Sequence, residues 1–293
     1  MRLRCAALAC RGSSHDSGDF MITLTLAEMN TWVAALLWPL TRILGLLATA
    51  PIFGNSSFPI SVKVGLGVLL ALIMAPLIPA LPAADPMSMA GFLILIQELL
   101  IGVAMGFAMR IVFAAIEMAG EVASLTMGLG FASFFDPLTK GRSSAISQFM
   151  ALIATMAFLA VNAHLVLLQA LAESFFSMPI AATPMSAAGP YELVRWGGHI
   201  FHAGLQLSMP LVAALLITQV ALGILTRAAP QLNIFGIGFP ISLGVGMLVL
   251  VVVLPYLGGP IQTLFNQGIE ASRTIPRAAG NRAPVPPPVP APN

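Results

Sequence analysis

Residues 89–129, MAGFLILIQELLIGVAMGFAMRIVFAAIEMAGEVASLTMGL, decide the fold of this chain. The stretch stays apolar for about twice the roughly 20 residues that a helix needs to cross the hydrocarbon core of a bilayer. Its apolar residues do not alternate with polar ones, as they would along the strands of a barrel. Because lipid offers no water to backbone N–H and C=O groups, such a segment has to pair them internally as a helix. The stretch therefore predicts an all-α membrane protein.

The rest of the chain has the same character. Of its 293 residues, 58% are hydrophobic and only 8% are charged, against about 25% charged in an ordinary soluble domain. So little charge cannot cover the surface of a soluble protein of this size. Five more hydrophobic segments are visible, at 29–50, 59–81, 144–176, 193–225 and 235–257. A short amphipathic piece follows at 261–271, and the whole predicts a polytopic membrane protein in contact with lipid.

The two ends differ from the hydrophobic region between them. Residues 1–20 are basic and polar around a short apolar patch, which is compatible with a signal peptide or with an extension ahead of a start at Met21. We expect a non-native or disordered extension, because the patch is short for a signal sequence. Residues 21–272 are then the helical membrane domain. Residues 273–293 are rich in proline and are expected to be a disordered tail.

Composition and motifs exclude several classes of function. The net charge of +2 and the pI near 8.8 give no basic surface of the kind that nucleic acid requires. Cys5 and Cys10 are the only cysteines, so the rest of the chain has no cysteine-based metal site. His199 and His202 are spaced as on one helix face, but no carboxylate or cysteine nearby completes a metal site. No phosphate loop, nucleophile elbow or HExxH pattern occurs, so we expect neither an enzyme nor a cofactor.

Charged residues inside the long apolar stretch are candidate functional residues, because each is costly in a membrane unless it is paired. On a helix, Arg110, Glu117 and Glu121 fall within about 40° of one another and form what we call the charged stripe. One interpretation is a proton or ion relay. The other is a set of ion pairs between helices that fixes assembly. The assembly interpretation is favoured, because no second helix is rich in carboxylates.

Glu98 lies on a different face of the same helix and needs another partner. Arg42 and Lys63, on neighbouring segments, are the two candidates. Four residues further along, Gly102 and Gly106 form a GxxxG pair. Small residues at this spacing let helices approach closely in lipid, so the pair predicts tight helix packing.

Residues 127–137, MGLGFASFFDP, are the most unusual segment. Gly128 and Gly130 tolerate positive φ and are expected to end the long helix. Phe131, Phe134 and Phe135 then crowd into a loop that closes with the turn signal Asp136-Pro137. Bulky apolar groups on a glycine hinge could plug a pore. They could equally anchor the loop against a neighbouring helix, and the residues alone do not decide between these interpretations.

Several stretches of the chain, in order from about residue 26 to residue 260, resemble the FliR family of type III export-gate membrane proteins. They are WPLTR at 38–42, APIFG at 50–54, ELLIGVAMGF at 98–107, AGE at 119–121, NAH at 162–164 and APQLNIFGIGFP at 229–240. The stretch at 162–164 matches the position where the family often has glycine-histidine. The SctT proteins of injectisomes share this architecture.

The resemblance implies a non-enzymatic subunit of the flagellar protein-export gate, built from bent helical hairpins that assemble into a helical complex. Its partners would be FliP-like and FliQ-like gate subunits, FlhB-like and FlhA-like export proteins, and unfolded flagellar substrates. Its place would be the bacterial inner membrane at the flagellar basal body.

The resemblance also implies site residues. The loop would plug the channel, with Gly128, Gly130, Phe131, Phe134, Phe135, Asp136 and Pro137 as the plug residues.

The alternative function is a proton- or ion-coupled secondary transporter of a small solute. Its coupling site would consist of Glu98 and the charged stripe.

The positive-inside rule gives an inconsistent topology for simple spans. Lys140 and Arg142 mark their loop as cytoplasmic, and regular alternation then places Arg227 on the same side. The same alternation puts three arginines beyond residue 272 outside, against the rule. This conflict indicates that some hydrophobic segments are hairpins or helices buried in protein rather than full spans.

Overall fold

A computed structural model describes residues 26–55, 57–78, 82, 85–129, 144–181, 184–228 and 238–280. The predicted extension at 1–20, the plug residues from Gly130 to Pro137 and the tail beyond residue 280 lie outside these described residues. Within them the chain is all-α, with no β-strand. The prediction of an all-α polytopic membrane protein is confirmed.

The described residues form nine α-helices. They are α1 Leu26–Thr49, α2 Ile60–Met74, α3 Met89–Thr126, α4 Ala145–Ala160, α5 Ala163–Ser177, α6 Ala188–Gly197, α7 His199–Ala228, α8 Phe239–Val253 and α9 Gly258–Ala279. Single turns of 3₁₀-helix follow α2 at Ala75–Leu77 and link α8 to α9 at Leu254–Leu257.

Three helical runs are long and apolar enough to cross a membrane. They are α3 with 38 residues, α6 with α7 over 41 residues, and α8 with α9 over 41 residues. The pair α4–α5 makes a fourth run if it is counted as one bent span. At about 1.5 Å per residue each of the three runs is about 57–62 Å long, roughly twice the 30 Å of a hydrocarbon core. Much of each run therefore has to lie outside the core or among other helices.

Helix α3 is the axis of the fold and packs against α1, α4, α6, α7 and α9. It begins at the N-cap Ser88, whose hydroxyl accepts the backbone N–H of Gly91 at 3.1 Å. It ends at Thr126 with Met127 as the C-cap, and Gly128 follows with φ +88°. A glycine in this left-handed conformation is a common helix terminator, so the predicted end at Gly128 is confirmed.

Helix α1 lies against the first half of α3 with almost no side chains between the two backbones. A Cβ atom on Gly102 would overlap the backbone of Arg42, and one on Gly45 would lie 2.8 Å from the carbonyl oxygen of Leu99. Thr49 Oγ1 donates to the carbonyl oxygen of Gly45 at 2.9 Å, as a hydroxyl on an apolar helix commonly does. The partner of the predicted GxxxG face is therefore α1.

The hydrophobic segment predicted at 144–176 is a pair of helices rather than one. The axes of α4 and α5 differ by 68°. Between them Asn162 has φ 55° in the left-handed region, which asparagine tolerates better than most residues. The pair is a broken apolar run, and the bent hairpins that the family resemblance implies stay a prediction.

The predicted boundary between the membrane domain and the tail, at residue 273, lies too early. Helix α9 is longer than the amphipathic piece expected at 261–271 and continues to Ala279. Ile275 and Ala279 are each only 3% exposed, and the carbonyl oxygen of Ala279 accepts the N–H of Ser186 at 3.0 Å. Residues 273–279 are ordered because their apolar side chains pack against α3 and α6, despite Pro276 in the last turn.

Replacing Gly102 with alanine should destabilise the protein, because the added methyl group meets the Arg42 backbone, which cannot move aside without parting the helices. Overpacking of this kind typically costs about 1–3 kcal/mol, so the thermal unfolding midpoint of purified protein in detergent should fall. Gly223→Ala in α7 is the matched control, because a Cβ there meets nothing within 4 Å. Alanine is the better helix former by about 1 kcal/mol, so the control should be neutral or stabilising. Equal midpoints for the two variants would contradict the close approach.

Candidate functional site

A fully buried ion pair joins α1 to α3. Arg42 and Glu98 are both 0% exposed. Arg42 Nε donates to Glu98 Oε2 at 2.6 Å, and Arg42 Nη2 donates to Glu98 Oε1 at 2.9 Å. Two parallel hydrogen bonds between a guanidinium and a carboxylate make the strongest and most directional form of this interaction. Of the two partners expected for Glu98, the structure shows Arg42.

The rest of the Arg42 guanidinium is bound by α5 and by the residue that follows it. Nη1 donates to Ser174 Oγ at 3.1 Å, and Nη2 donates to the Met178 carbonyl oxygen at 3.0 Å. The ring of Phe175 lies 4.4 Å from the guanidinium carbon, within range of a cation–π contact. Sequence reasoning missed all three residues. Ser174, a hydroxyl in a largely apolar helix, was the only signal that could have pointed to them.

This arrangement does not resemble the coupling site of a transporter. Both carboxylate oxygens of Glu98 accept hydrogen bonds from Arg42. Lys63 instead donates to the exposed carbonyl oxygen of Asn55 at 2.9 Å. Glu98 and Arg110 are twelve residues apart on one straight helix, which corresponds to about 18 Å. The four charged residues of the transporter hypothesis are therefore not brought together in one place.

The charged stripe lies on a more open face of α3 than the buried pair. Arg110 is exposed, and Glu117 and Glu121 are half-buried. Among the described residues none of the three forms an ion pair, with each other or with anything else. Glu121 Oε2 accepts the backbone N–H of Ser144, the N-cap of α4, at 3.1 Å. A carboxylate in this position is favoured by the dipole of the helix that begins there.

Both ends of the segment between α3 and α4 are held in place. At the α3 end Gln219 Nε2 donates to the carbonyl oxygen of Thr126 at 3.2 Å, and a Cβ on Gly128 would lie 3.1 Å from Phe239 Cδ2. At the other end Ser144 is bound by Glu121. Of the predicted plug residues only Gly128 lies among the described residues.

Of the two histidines of α7, His199 is engaged in a ring contact. The imidazole of His199 stacks on the Trp196 ring with centroids 4.0 Å apart, and its Nδ1 lies 3.2 Å from the Trp196 carbonyl oxygen. Across the described ranges, no group of three or more His, Cys, Asp or Glu residues is arranged to hold a metal ion.

Comparison with known proteins identifies the family. The family described as "Bacterial export proteins, family 1" matches residues 33–268. The flagellar biosynthetic protein FliR of Pectobacterium carotovorum subsp. carotovorum is 42% identical over 247 residues, which cover 84% of this chain and 94% of that protein. The chain belongs to the FliR family of bacterial export proteins.

Two further FliR proteins show how wide the similarity is. This FliR-family chain is 38% identical to FliR of Escherichia coli over 249 residues, covering 84% of this chain and 94% of that protein. It is 30% identical to FliR of Bacillus subtilis over 237 residues, covering 80% and 91%. The resemblance predicted from the sequence is thus confirmed, and the comparisons give the transporter alternative no support. The matched region contains the Arg42–Glu98 pair and the whole charged stripe.

Breaking the Arg42–Glu98 pair should destabilise the FliR-family chain strongly. Arg42→Met leaves the Glu98 carboxylate buried without a partner, and Glu98→Met does the same to Arg42. Either change should cost about 3–5 kcal/mol, visible as a lower thermal unfolding midpoint in detergent.

The double variant Arg42→Met with Glu98→Met is the control for this prediction. It removes both charges together and should lose less stability than either single variant, since no unpaired ion remains. Stability losses that simply add in the double variant would show that the two side chains do not depend on each other.

Proposed function

We propose that this chain is a subunit of the flagellar type III protein-export gate, in the bacterial inner membrane at the flagellar basal body. The observation that carries this proposal is the match along 84% of the chain to a protein named flagellar biosynthetic protein FliR. The all-α fold with three long apolar runs supports a membrane-embedded role.

The role that we propose is structural and conductive rather than enzymatic. The buried charges bind helices to one another: Arg42 and Glu98 join α1, α3 and α5, and Glu121 joins α3 to the start of α4. The subunit would help to form a channel for unfolded flagellar substrates and would take its energy from other components.

Large apolar surfaces support assembly with other chains. Helices α7 and α8 expose most of their long aliphatic side chains, such as Ile217 at 72% and Val251 at 66%. Exposed apolar area of this extent is characteristic of protein or lipid contact. We propose that FliP-like and FliQ-like gate subunits cover part of it, that FlhB-like and FlhA-like export proteins dock onto the assembled complex, and that lipid covers the rest.

The loop between α3 and α4 is proposed as the channel plug. Three features support this: the left-handed Gly128 where the loop begins, the anchoring of both loop ends, and the sequence of the loop itself. Gly128 and Gly130 would be the hinge, and Phe131, Phe134 and Phe135 the plug, with Asp136 and Pro137 turning the chain back.

Purification of the tagged chain from its own bacterium in mild detergent tests the proposed function. We expect FliP-like and FliQ-like proteins to co-purify in one stable complex, identified by mass spectrometry, because the apolar faces need cover. An unrelated tagged inner-membrane protein of similar size is the control and should recover neither. A monodisperse chain without either protein would refute the export-gate proposal.

Replacing Phe131, Phe134 and Phe135 together with alanine should make the assembled gate leaky to ions, because the plug loses its bulk. The measurement is the conductance of the reconstituted complex in a planar bilayer. Phe58, Phe92 and Phe149 are exposed and lie outside the loop and outside α7 and α8, so their triple alanine variant is the matched control and should conduct like the parent. An unchanged conductance in the loop variant would count against the plug and favour a simple anchor.

A further inference from the structure

The second half of α3 has a face that other described helices cover only in part, with Glu117 and Glu121 half-buried and Arg110 exposed. Phe107 is 45% exposed and Leu125 is 60% exposed, and the charged stripe of Arg110, Glu117 and Glu121 lies between them. At 100° per residue these five side chains fall within about 80°. We call this set the open face of α3. It is apolar at both ends and charged in the middle.

Arg42 shows how the chain binds an arginine when it uses its own residues. Four hydrogen bonds to described residues engage four of the five N–H donors of the Arg42 guanidinium. Arg110, on a helix long and apolar enough to cross a membrane, forms neither a hydrogen bond nor an ion pair with any described residue. An unpaired charge in such a helix costs several kcal/mol unless it faces a partner or water. The contrast between the two arginines shows that no described residue serves as the partner of Arg110, which leaves its guanidinium available to a partner on another chain.

We propose that the open face of α3 is the docking surface for a membrane helix of a different gate subunit, which presents a carboxylate level with Arg110. This inference rests on the proposed export-gate function and adds the chemistry of one of its contacts. Glu117 lies seven residues from Arg110, or about 10.5 Å along the helix. The partner helix therefore carries a basic or hydrogen-bond-donating residue about two turns from its carboxylate. Phe107 and Leu125 seal the two ends of the contact.

The sign pattern of the charges argues against a second copy of this chain. Arg110 and Glu117 would be complementary to themselves only between antiparallel helices. Two copies inserted in the same orientation bring their α3 helices together in parallel, so that Arg110 would face Arg110. Like charges in direct contact are strongly unfavourable, and the partner is therefore a chain of different sequence.

The same pattern argues against an anionic lipid headgroup. A phosphate near Arg110 would lie on the same face as the carboxylates of Glu117 and Glu121 and would be repelled by them. A protein helix can place charges of both signs at fixed spacing, which matches the pattern of the open face.

The test is charge reversal at Arg110 in cells that express the tagged chain together with FliP-like and FliQ-like subunits. Arg110→Glu should reduce the amount of at least one co-purified subunit at least about tenfold, which corresponds to about 1.4 kcal/mol of binding free energy, and should abolish swimming. Arg110→Lys keeps the charge and should retain most of the complex. Arg195→Glu is the matched control, because Arg195 is 73% exposed and already faces Glu192 at 3.8 Å.

Misfolding is separated from lost docking by two measurements. Arg110→Gln removes the charge and keeps a polar, helix-compatible side chain, and the variant purified without partners should keep the thermal unfolding midpoint of the parent. Revertants of Arg110→Glu selected for swimming should exchange an Asp or Glu for a neutral or basic residue in a helix of another gate subunit. Such a compensating exchange identifies the partner residue.

The inference is overturned by any of four results. One is an Arg110→Glu chain that assembles and swims like the parent, which would leave the proposed function intact. Another is a set of revertants confined to this chain. The third is an Arg110-dependent recovery of a second, differently tagged copy. The fourth is an unchanged complex that has lost only bound phosphatidylglycerol. Failure of the parent chain to recover any gate subunit would instead refute the proposed function itself.

Discussion

The architecture depends on one interaction, the buried pair of Arg42 and Glu98. Further hydrogen bonds from Arg42 bind α5 and the residue after it to this pair, so that it joins α1, α3 and α5. An arginine and a glutamate that are both fully buried are tolerated only because every charge has a partner. That requirement fixes the rotation of each helix about its axis. The close approach of α1 to α3 at Gly45 and Gly102 fixes their separation. Together the two constraints make these helices one rigid unit, on which the charged stripe is displayed.

The other charged side chains differ in whether a described residue of the same chain lies close enough to bind them. Glu121 is bound by the start of α4, and Glu173 of α5 pairs with Arg273 of α9 at 3.1 Å. Arg110, on the open face, forms no ion pair with a described residue. A subunit that works inside a complex needs both kinds of residue: internal pairs that define its shape, and unsatisfied groups that make association favourable and specific.

Much of this could be predicted from the sequence, because long apolar runs and helix-terminating glycines act locally. The α3 helix, its end at Gly128 and the tight packing at Gly102 are of this kind. The bend at Asn162 was not predicted, because a single asparagine inside an apolar run carries little local signal. The C-terminal end of α9 was not predicted, because the proline content of the following residues suggested disorder. Packing of Ile275 and Ala279 against α3 and α6 stabilises the helix there despite Pro276. The contacts of Arg42 with Ser174 and Met178 span more than a hundred residues of sequence, and no local pattern reveals them.

That separation along the chain has a consequence for biosynthesis. Arg42 binds residues 132 and 136 positions later, Ser174 and Met178. At a translation rate of about 5–20 residues per second, roughly 7–26 s pass between the two regions leaving the ribosome. During most of that interval Arg42 has its Glu98 partner, 56 positions later, but lacks the other two of its four hydrogen bonds. A half-synthesised chain therefore holds this arginine less completely than a finished one, and the contact of α1 with α3 gains its full set of hydrogen bonds only when α5 has been made.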